Sequence, residues 1–200
     1  MNLQSIFRMI REKDWDWVIV LDGGERTGKT LLATQILLES EDFSNEPMRA
    51  LKHIVWDFQT YEQRMRELPQ GSCIIFNEAS LLGRRSNTAL ADRMVKILTT
   101  SGARNMLTVL TFPTFRMLDP YLRNHRVRTR GYVHTVCGER GYVDWSIKVQ
   151  APWQGSEDTP FTPTFSSRFE HIPPDSVYGP LWSSIQATDT AVKLAMLASV

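Results

Sequence analysis

The chain contains a short apolar run that leads into a glycine-rich loop, Trp17-Val18-Ile19-Val20-Leu21-Asp22-Gly23-Gly24-Glu25-Arg26-Thr27-Gly28-Lys29-Thr30. The run is typical of a β-strand buried on both faces, and the apolar residues after Thr30 predict a helix that reaches about Glu39. Four residues separate Gly23 from Gly28, and Lys-Thr follows, which is the Walker A spacing in the strand–loop–helix context that this motif requires. The sequence therefore predicts a loop that holds the phosphates of ATP or GTP.

Each part of the loop has a predicted role. Glycines let the backbone turn its amide hydrogens toward a phosphate, and the following helix adds its positive dipole end. Lys29 is expected to reach the β- and γ-phosphates, and the Thr30 hydroxyl is expected to bind Mg²⁺. ATP and Mg²⁺ are thus the expected ligands. Nucleotide contacts are assigned to Gly23, Gly24, Glu25, Arg26, Thr27, Gly28, Lys29, Thr30 and Leu31.

Strand-like and helix-like segments alternate after the loop. Strands are predicted at 53–57, 73–76 and 106–112, and helices at 61–68, at 86–101 and after Asp119. Strand-like segments at 131–137 and 142–147 flank Gly138-Glu139-Arg140-Gly141 and predict an antiparallel hairpin. The rhythm favours an α/β fold of the P-loop NTPase type, with a mostly parallel core sheet, helices on both faces and the hairpin extending the edge.

The expected domain organisation has three parts. Residues 1–16 form an N-terminal helix, residues 17–150 form the P-loop ATPase core, and residues 151–200 form a C-terminal loop and helix appendage. The loop is expected over 150–163, where Pro, Ser, Thr and acidic residues are frequent, and the final helix is expected over about 190–198.

A second buried strand, Cys73-Ile74-Ile75-Phe76, ends in Asn77-Glu78. P-loop ATPases need a residue at this point to hold the magnesium shell, and those of the additional-strand class follow it with a glutamate that polarises the attacking water. Glu78 is expected to be that glutamate. Asn77 stands where an aspartate is expected, so it would hold the metal through a bound water and would bring no negative charge.

Three interpretations of Asn77 stay open. It suffices for slow or partner-dependent hydrolysis, which is the interpretation favoured here; or Glu78 serves the metal itself; or the chain binds nucleotide and hydrolyses little of it. Thr111 ends the strand that should lie beside this site and is a candidate sensor of the γ-phosphate, the alternative being an ordinary threonine at a strand end. The predicted catalytic residues are Glu78, Lys29 and Thr111.

Positive charge is concentrated in the middle of the chain. From Arg84 to Arg130 there are ten lysines and arginines and two acidic residues, a net charge of +8 in a chain whose total is +1. This asymmetry indicates an anionic partner, expected to be DNA bound through its phosphates without reading of sequence; the alternative is a set of solvated helix faces. Arg84, Arg85 and Arg104 are candidate arginine fingers, each with surface charge as its alternative.

The remaining composition bears on location. The first residues lack the pattern of a secretory signal, and no apolar stretch approaches the ~18 residues needed to span a bilayer. Cys73 and Cys137 lie in strand-like runs, and the four histidines are scattered. We expect no membrane span, no histidine metal site, reduced thiols, and a cytoplasmic location in a prokaryotic or virus-infected cell.

Four motifs resemble the FtsK/HerA group of DNA-pumping ATPases and, more closely, the compact Zot-like ATPases of prokaryotic viruses and mobile elements. They are residues 23–30, residues 74–79, the turn Ser101-Gly102-Ala103-Arg104-Asn105, and Leu118-Asp119-Pro120-Tyr121-Leu122-Arg123. The chain departs from the group at Asn77, usually an acid, and at Phe112, which follows Thr111 where FtsK/HerA proteins commonly have Thr-Gln. The resemblance implies a ring-forming homo-oligomer that moves or packages DNA.

The leading functional expectation is therefore a Mg²⁺-dependent ATPase that acts on DNA as an oligomeric motor in packaging, translocation or transfer, with turnover limited by Asn77. The alternative is a nucleotide-dependent switch or assembly protein with little turnover. A small-molecule kinase is a third option, but Glu78 argues against it, because a kinase needs no glutamate directed at water.

Overall fold

Seven strands of the described residues form one mixed sheet. The computed structural model describes residues 3–13, 15–77, 92, 95–99, 101–148 and 161–198. The strands are β1 (Trp17–Asp22), β2 (Ile54–Val55), β3 (Cys73–Phe76), β4 (Leu107–Phe112), β5 (Val127–Val136), β6 (Glu139–Lys148) and β7 (Phe161–Arg168). Their order is β2-β3-β4-β1-β5-β6-β7. The first five in that order pair in parallel, and β6 and β7 are added antiparallel.

Helices connect the strands and cover the sheet. They are α1 (Leu3–Glu12), α2 (Lys29–Ser40), α3 (Phe58–Glu67) and α4 (Gly179–Ala198), and residues 95–99 are also helical. Shorter turns are 3-10 helices at Pro47–His53, Ser101–Arg104 and Phe115–Met117, and a π-helical turn at Leu122–Arg126. The predicted helix at 86–101 lies largely outside the described residues.

The side chains of β1 alternate between two apolar cores. Trp17, Ile19 and Leu21 pack in the cluster that contains α1, α2 and α4, whereas Val18 and Val20 pack in the cluster on the other face with α3. Because successive residues of a strand point to opposite faces, a strand covered on both sides must be apolar throughout. The six residues of β1 are all buried. The glycine-rich loop follows directly at the carboxyl end of this strand.

The strand order confirms the predicted fold class. Strand β4 lies between β1 and β3, with Leu107 paired to Trp17 on one side and to Cys73 on the other. The strand that leads into the glycine-rich loop is thus separated by one additional strand from the strand that ends before Asn77. This is the arrangement expected of a P-loop NTPase of the additional-strand class, and the antiparallel β5–β6 hairpin extends the sheet as predicted.

The hairpin turn is shorter than predicted. We expected the turn over 138–141, but Val136 pairs with Glu139, and Cys137 and Gly138 alone make the turn. Both have positive φ, 50° and 83°, as a two-residue type I′ turn requires to match the twist of its strands. Strand β5 also begins earlier than predicted, at Val127, because it pairs in parallel with β1 as well as antiparallel with β6.

The C-terminal part contributes a strand and a long helix. We predicted a loop over 150–163, but residues 161–163 belong to β7, the last strand of the sheet; residues 149–160 lie outside the described residues. Helix α4 begins at Gly179 rather than near residue 190 and buries Leu181, Trp182 and Ile185 in the core. The domain boundary at 151 stays a prediction. Of the helices in the described residues, none has both the length and the apolarity to cross a membrane.

Candidate nucleotide-binding site

The glycine-rich loop joins the end of β1 to the start of α2. Gly28 precedes the helix with φ 106° and ψ 17°, a left-handed conformation, and α2 begins without a side-chain cap. The first amides of an α-helix have no partner within the helix and carry its positive dipole end. A helix start of this kind, placed after a buried strand, is a favourable site for a phosphate group.

Two glycines are required by the space around the loop. A Cβ at Gly23 would lie 2.0 Å from the carbonyl oxygen of Val133 in β5, and one at Gly28 would lie 3.1 Å from the ring of Phe169. Arg26 adopts φ 58°, which is uncommon outside glycine. The loop therefore packs directly against β5, and glycine at positions 23 and 28 avoids the close contacts and the backbone strain that a side chain would bring there.

Lys29 folds over the loop that precedes it. Its ammonium group donates to the carbonyl oxygens of Gly23 at 2.8 Å and Gly24 at 2.6 Å. The Thr27 hydroxyl donates to the same Gly24 carbonyl at 3.0 Å and closes the turn. The Lys29 ammonium group therefore lies beside Gly23 and Gly24 at the start of the loop, where the motif requires a positive charge for the terminal phosphates of a nucleotide.

Three predicted site residues meet at the carboxyl ends of β3 and β4. The hydroxyls of Thr30 and Thr111 each donate to Oδ1 of Asn77 at 3.0 Å. Asn77 is fully buried, and its backbone amide donates to the Val55 carbonyl at 2.8 Å, which fixes the residue between β2 and the loop. The structure thus brings Thr30, Asn77 and Thr111 together.

The oxygen atoms at this point suit a magnesium ion. Mg²⁺ prefers oxygen ligands, keeps several waters and is bound by few protein groups beside the phosphates of its substrate. In the described residues no cluster of three His, Cys, Asp or Glu side chains could hold a metal, and a P-loop site does not need one. The Thr30 hydroxyl and the amide oxygen of Asn77, 3.0 Å apart, fit this role.

Among the candidate arginine fingers, Arg104 falls in the part of the chain that the structure describes, and it lies away from the site. Glu78, Arg84 and Arg85 lie outside the described residues. Arg104 precedes β4 at the amino end of the strand, where its guanidinium donates to the carbonyl of Arg66 in the last turn of α3 and to that of Leu68, which follows the helix. In this structure Arg104 closes the C-terminal end of α3.

Asp22, which the sequence analysis did not assign, anchors the loop. Its carboxylate is 2 % exposed and accepts from Arg130 of β5, Nε to Oδ1 at 2.7 Å and Nη2 to Oδ2 at 2.8 Å. It also accepts from the backbone amide of Phe115 at 3.1 Å, and the guanidinium lies over the Phe115 ring, 4.9 Å from its centroid. Hydrogen bonding to Asp22 raises the pKa of Arg130. The pair ties β1, β5 and the loop after β4 together beside the nucleotide site.

A second unassigned carboxylate comes from α4. Nδ2 of Asn77 donates to Oδ1 of Asp189 at 2.8 Å, and Trp56 Nε1 donates to the same oxygen at 3.3 Å. Asp189 follows Asn77 by 112 residues, so no local spacing in the sequence could indicate the contact. Asp22, by contrast, stands directly before Gly23, and its position next to the motif is a signal that could have found it.

The chain resembles several solved structures in its fold but has little sequence identity with them. No protein-family model matches the chain, and no curated protein sequence matches it. Among solved structures, the N-terminal domain of zonular occludens toxin from Neisseria meningitidis is 17% identical, with a TM-score of 0.46, covering 82% of this chain and 97% of that one. The DNA-packaging ATPase B204 from Sulfolobus turreted icosahedral virus is 12% identical, with a TM-score of 0.44, covering 67% and 93%. A KaiC-like protein from Pyrococcus horikoshii is 14% identical, with a TM-score of 0.37, covering 74% and 85%.

These neighbours include a member of the Zot group, which the sequence motifs resemble. The assignment of this chain to the P-loop NTPase fold rests on its own strand order and loop geometry.

Proposed function

We propose that the chain binds Mg²⁺-ATP at the glycine-rich loop and hydrolyses it. The observation that carries the proposal is the convergence of Thr30 and Thr111 on Asn77, each at 3.0 Å, beside the loop that Lys29 covers. A buried set of hydroxyl and amide oxygens next to a phosphate loop has the ligand chemistry of a magnesium–nucleotide site. The fold is compatible with ATP and with GTP, and ATP is the nucleotide we propose.

The roles of individual residues follow from their positions. Backbone amides of the loop and the Lys29 ammonium would bind the phosphates and balance their charge. The Thr30 hydroxyl oxygen would bind the metal directly, and Asn77 would hold one of the metal's waters once the Thr111 hydroxyl turns from the Asn77 oxygen to the terminal phosphate. When bound, Mg²⁺ would neutralise charge that develops on the phosphate oxygens. Thr111 would sense the terminal phosphate through Asn77, and Glu78 is proposed to orient the attacking water.

We further propose that the chain acts on DNA as a homo-oligomer. The support is the concentration of positive charge between Arg84 and Arg130. Four of these arginines have partners within the chain: Arg104 at the end of α3, Arg126 on Asp16, Arg128 over the rings of Trp15 and Trp17, and Arg130 on Asp22. Contacts with DNA phosphates therefore fall to the others, among them Arg116, which is exposed in the turn that follows β4.

A nucleotide-dependent switch with little turnover is the second candidate. It is favoured by the amide at position 77, which adds no negative charge where an acid would hold the metal more strongly. The two candidates share the binding site and differ in whether the terminal phosphate is released.

An ATPase assay with and without double-stranded DNA tests the proposal. Lys29→Ala and Glu78→Gln should each lower the rate about 100-fold or more, because they remove phosphate charge balance and water orientation. Lys52→Ala is the matched control, since Lys52 is an exposed lysine before the amino end of β2, and it should leave the rate unchanged. DNA should raise the wild-type rate.

Two results would redirect the assignment. ATP binding with no phosphate release at any DNA concentration would contradict the ATPase and support the switch. Transfer of the phosphate to a small-molecule acceptor would contradict both.

A further inference from the structure

The side-chain amide of Asn77 makes hydrogen bonds through both its oxygen and its nitrogen. Its oxygen accepts from the Thr30 and Thr111 hydroxyls, and its nitrogen donates to Asp189. An amide oxygen has two lone pairs, and both are used by these hydroxyls. The carboxylate of Asp189 can only accept, so the opposite orientation of the amide would place two oxygens face to face. Asp189 therefore determines which way Asn77 points.

Helix α4 carries Asp189 to this position. Leu181, Trp182 and Ile185 are buried in the core, and Asp189 lies one turn after Ile185 on the same side of the helix. Its side chain is 18 % exposed and stands at the carboxyl ends of β2 and β3, where Trp56 also donates to it. The core packing of α4 thus fixes the carboxylate beside the proposed metal site.

Among the described residues, Lys193 is the cation that pairs with Asp189. Lys193 donates to its Oδ2 at 2.8 Å, one helical turn further on, but the Lys193 side chain is 51 % exposed. Exposed pairs of this spacing are screened by solvent and contribute little. The oxygen that faces Asn77 is separate from the one that faces Lys193. The carboxylate of Asp189 therefore lies next to Asn77, whose own side chain carries no negative charge.

We propose that Asp189 is a positioning residue for divalent-cation binding and supplies the negative charge that Asn77 lacks. It holds the Asn77 oxygen toward Thr30, whose hydroxyl hydrogen is then committed to Asn77, leaving the lone pairs of Thr30 Oγ1 for the cation. Hydrogen bonding to a carboxylate also polarises the amide and makes its oxygen a better acceptor. The inference rests on the proposed function, because it assigns a metal–nucleotide complex to this site.

The proposed role of Asp189 predicts a change in how Mg²⁺ affects nucleotide binding, whereas an anchoring role predicts a change in the stability of α4 alone. A purely structural Asp189 would anchor the helix and leave the effect of Mg²⁺ on nucleotide binding unchanged. Residues that orient metal ligands typically change metal affinity about 10- to 100-fold when altered. The two roles therefore differ in a measurement that separates Mg²⁺ dependence from thermal stability.

The test is the binding of a fluorescent ATP analogue to the full chain, titrated with Mg²⁺, alongside thermal unfolding without nucleotide. Asp189→Asn keeps the shape of the side chain and removes its charge, and it should raise the Mg²⁺ concentration at half-saturation about tenfold. Asp175→Asn, an exposed carboxylate ahead of α4, is the matched control and should behave as wild type.

A charge exchange between the two positions provides a second variant pair. Asn77→Asp alone places two carboxylates within the 2.8 Å contact and should lower the unfolding temperature. Adding Asp189→Asn restores one amide and one carboxylate, so the double variant should regain stability. Its Mg²⁺ concentration at half-saturation should lie within about threefold of the wild-type value. Such a non-additive result would indicate direct coupling between the two positions.

The outcomes are separable. If wild type binds no nucleotide with or without Mg²⁺, the proposed function and this inference both fail. If wild type binds in a Mg²⁺-dependent way and Asp189→Asn shows the same Mg²⁺ response, the inference alone is overturned, whatever happens to the unfolding temperature.

Discussion

At the scale of single residues, the nucleotide site divides into what a local pattern shows and what only the fold brings together. Lys29 and Thr30 follow from the spacing of the loop, and Asn77 and Thr111 follow from their places at the ends of apolar runs. Asp22 pairs with Arg130 across 108 residues and Asn77 with Asp189 across 112. Pairs at such separations depend on strand order and helix packing, which local patterns do not specify, so the two pairings could not be assigned from the sequence even though Asp22 stands next to the loop.

The Asp22–Arg130 pair should contribute to stability. Asp22→Asn leaves a half-buried guanidinium without its counter-charge, and we expect it to lower the free energy of unfolding by about 2–4 kcal/mol. Arg130→Lys keeps the charge but loses the two parallel bonds, and about 1 kcal/mol is expected. Denaturant unfolding measures both. Arg168→Lys, in an exposed pair with Glu139, is the control and should change stability little; an Asp22→Asn variant as stable as wild type would contradict the assignment.

At the scale of elements, the buried parallel strands were the most predictable part of the chain. Continuous apolar runs at 17–21, 73–76 and 106–112 correspond to β1, β3 and β4. Strand β7 was missed because it contains Pro163 and is mostly exposed. A proline is tolerated at the edge of a sheet, where one side of the strand needs no ladder partner, so the turn-like composition there did not indicate a turn.

The hairpin turn offers a test of backbone conformation. Cys137 is held at φ 50°, a left-handed conformation that asparagine tolerates better than other non-glycine residues. Cys137→Asn should therefore stabilise the chain by about 0.5–1 kcal/mol relative to Cys137→Ser, which also removes the thiol but has no such preference. Thermal or denaturant unfolding of the two variants decides the matter. Equal stability would show that the turn is not of type I′ in solution.

At the scale of the whole molecule, one sheet with an apolar core on each face brings the described parts of the site together at the carboxyl ends of the parallel strands. The loop after β1, Asn77 after β3 and Thr111 in β4 meet there because the carboxyl ends of parallel strands share an edge. Helix α4 closes the same edge from the C-terminal part of the chain. Charge is less decisive at this scale than the sequence indicated, because Arg104, Arg126 and Arg130 are used within the fold.

Calorimetric titration of ATP into the chain in the presence of Mg²⁺ tests the central claim most directly. One ATP should bind per chain, and Lys29→Ala should abolish binding while Lys52→Ala retains it. AMP should bind at least about 100-fold more weakly, since it lacks the β- and γ-phosphates that the loop and Lys29 are placed to hold. Equal affinity for ATP and AMP, or ATP binding that survives Lys29→Ala unchanged, would contradict the account.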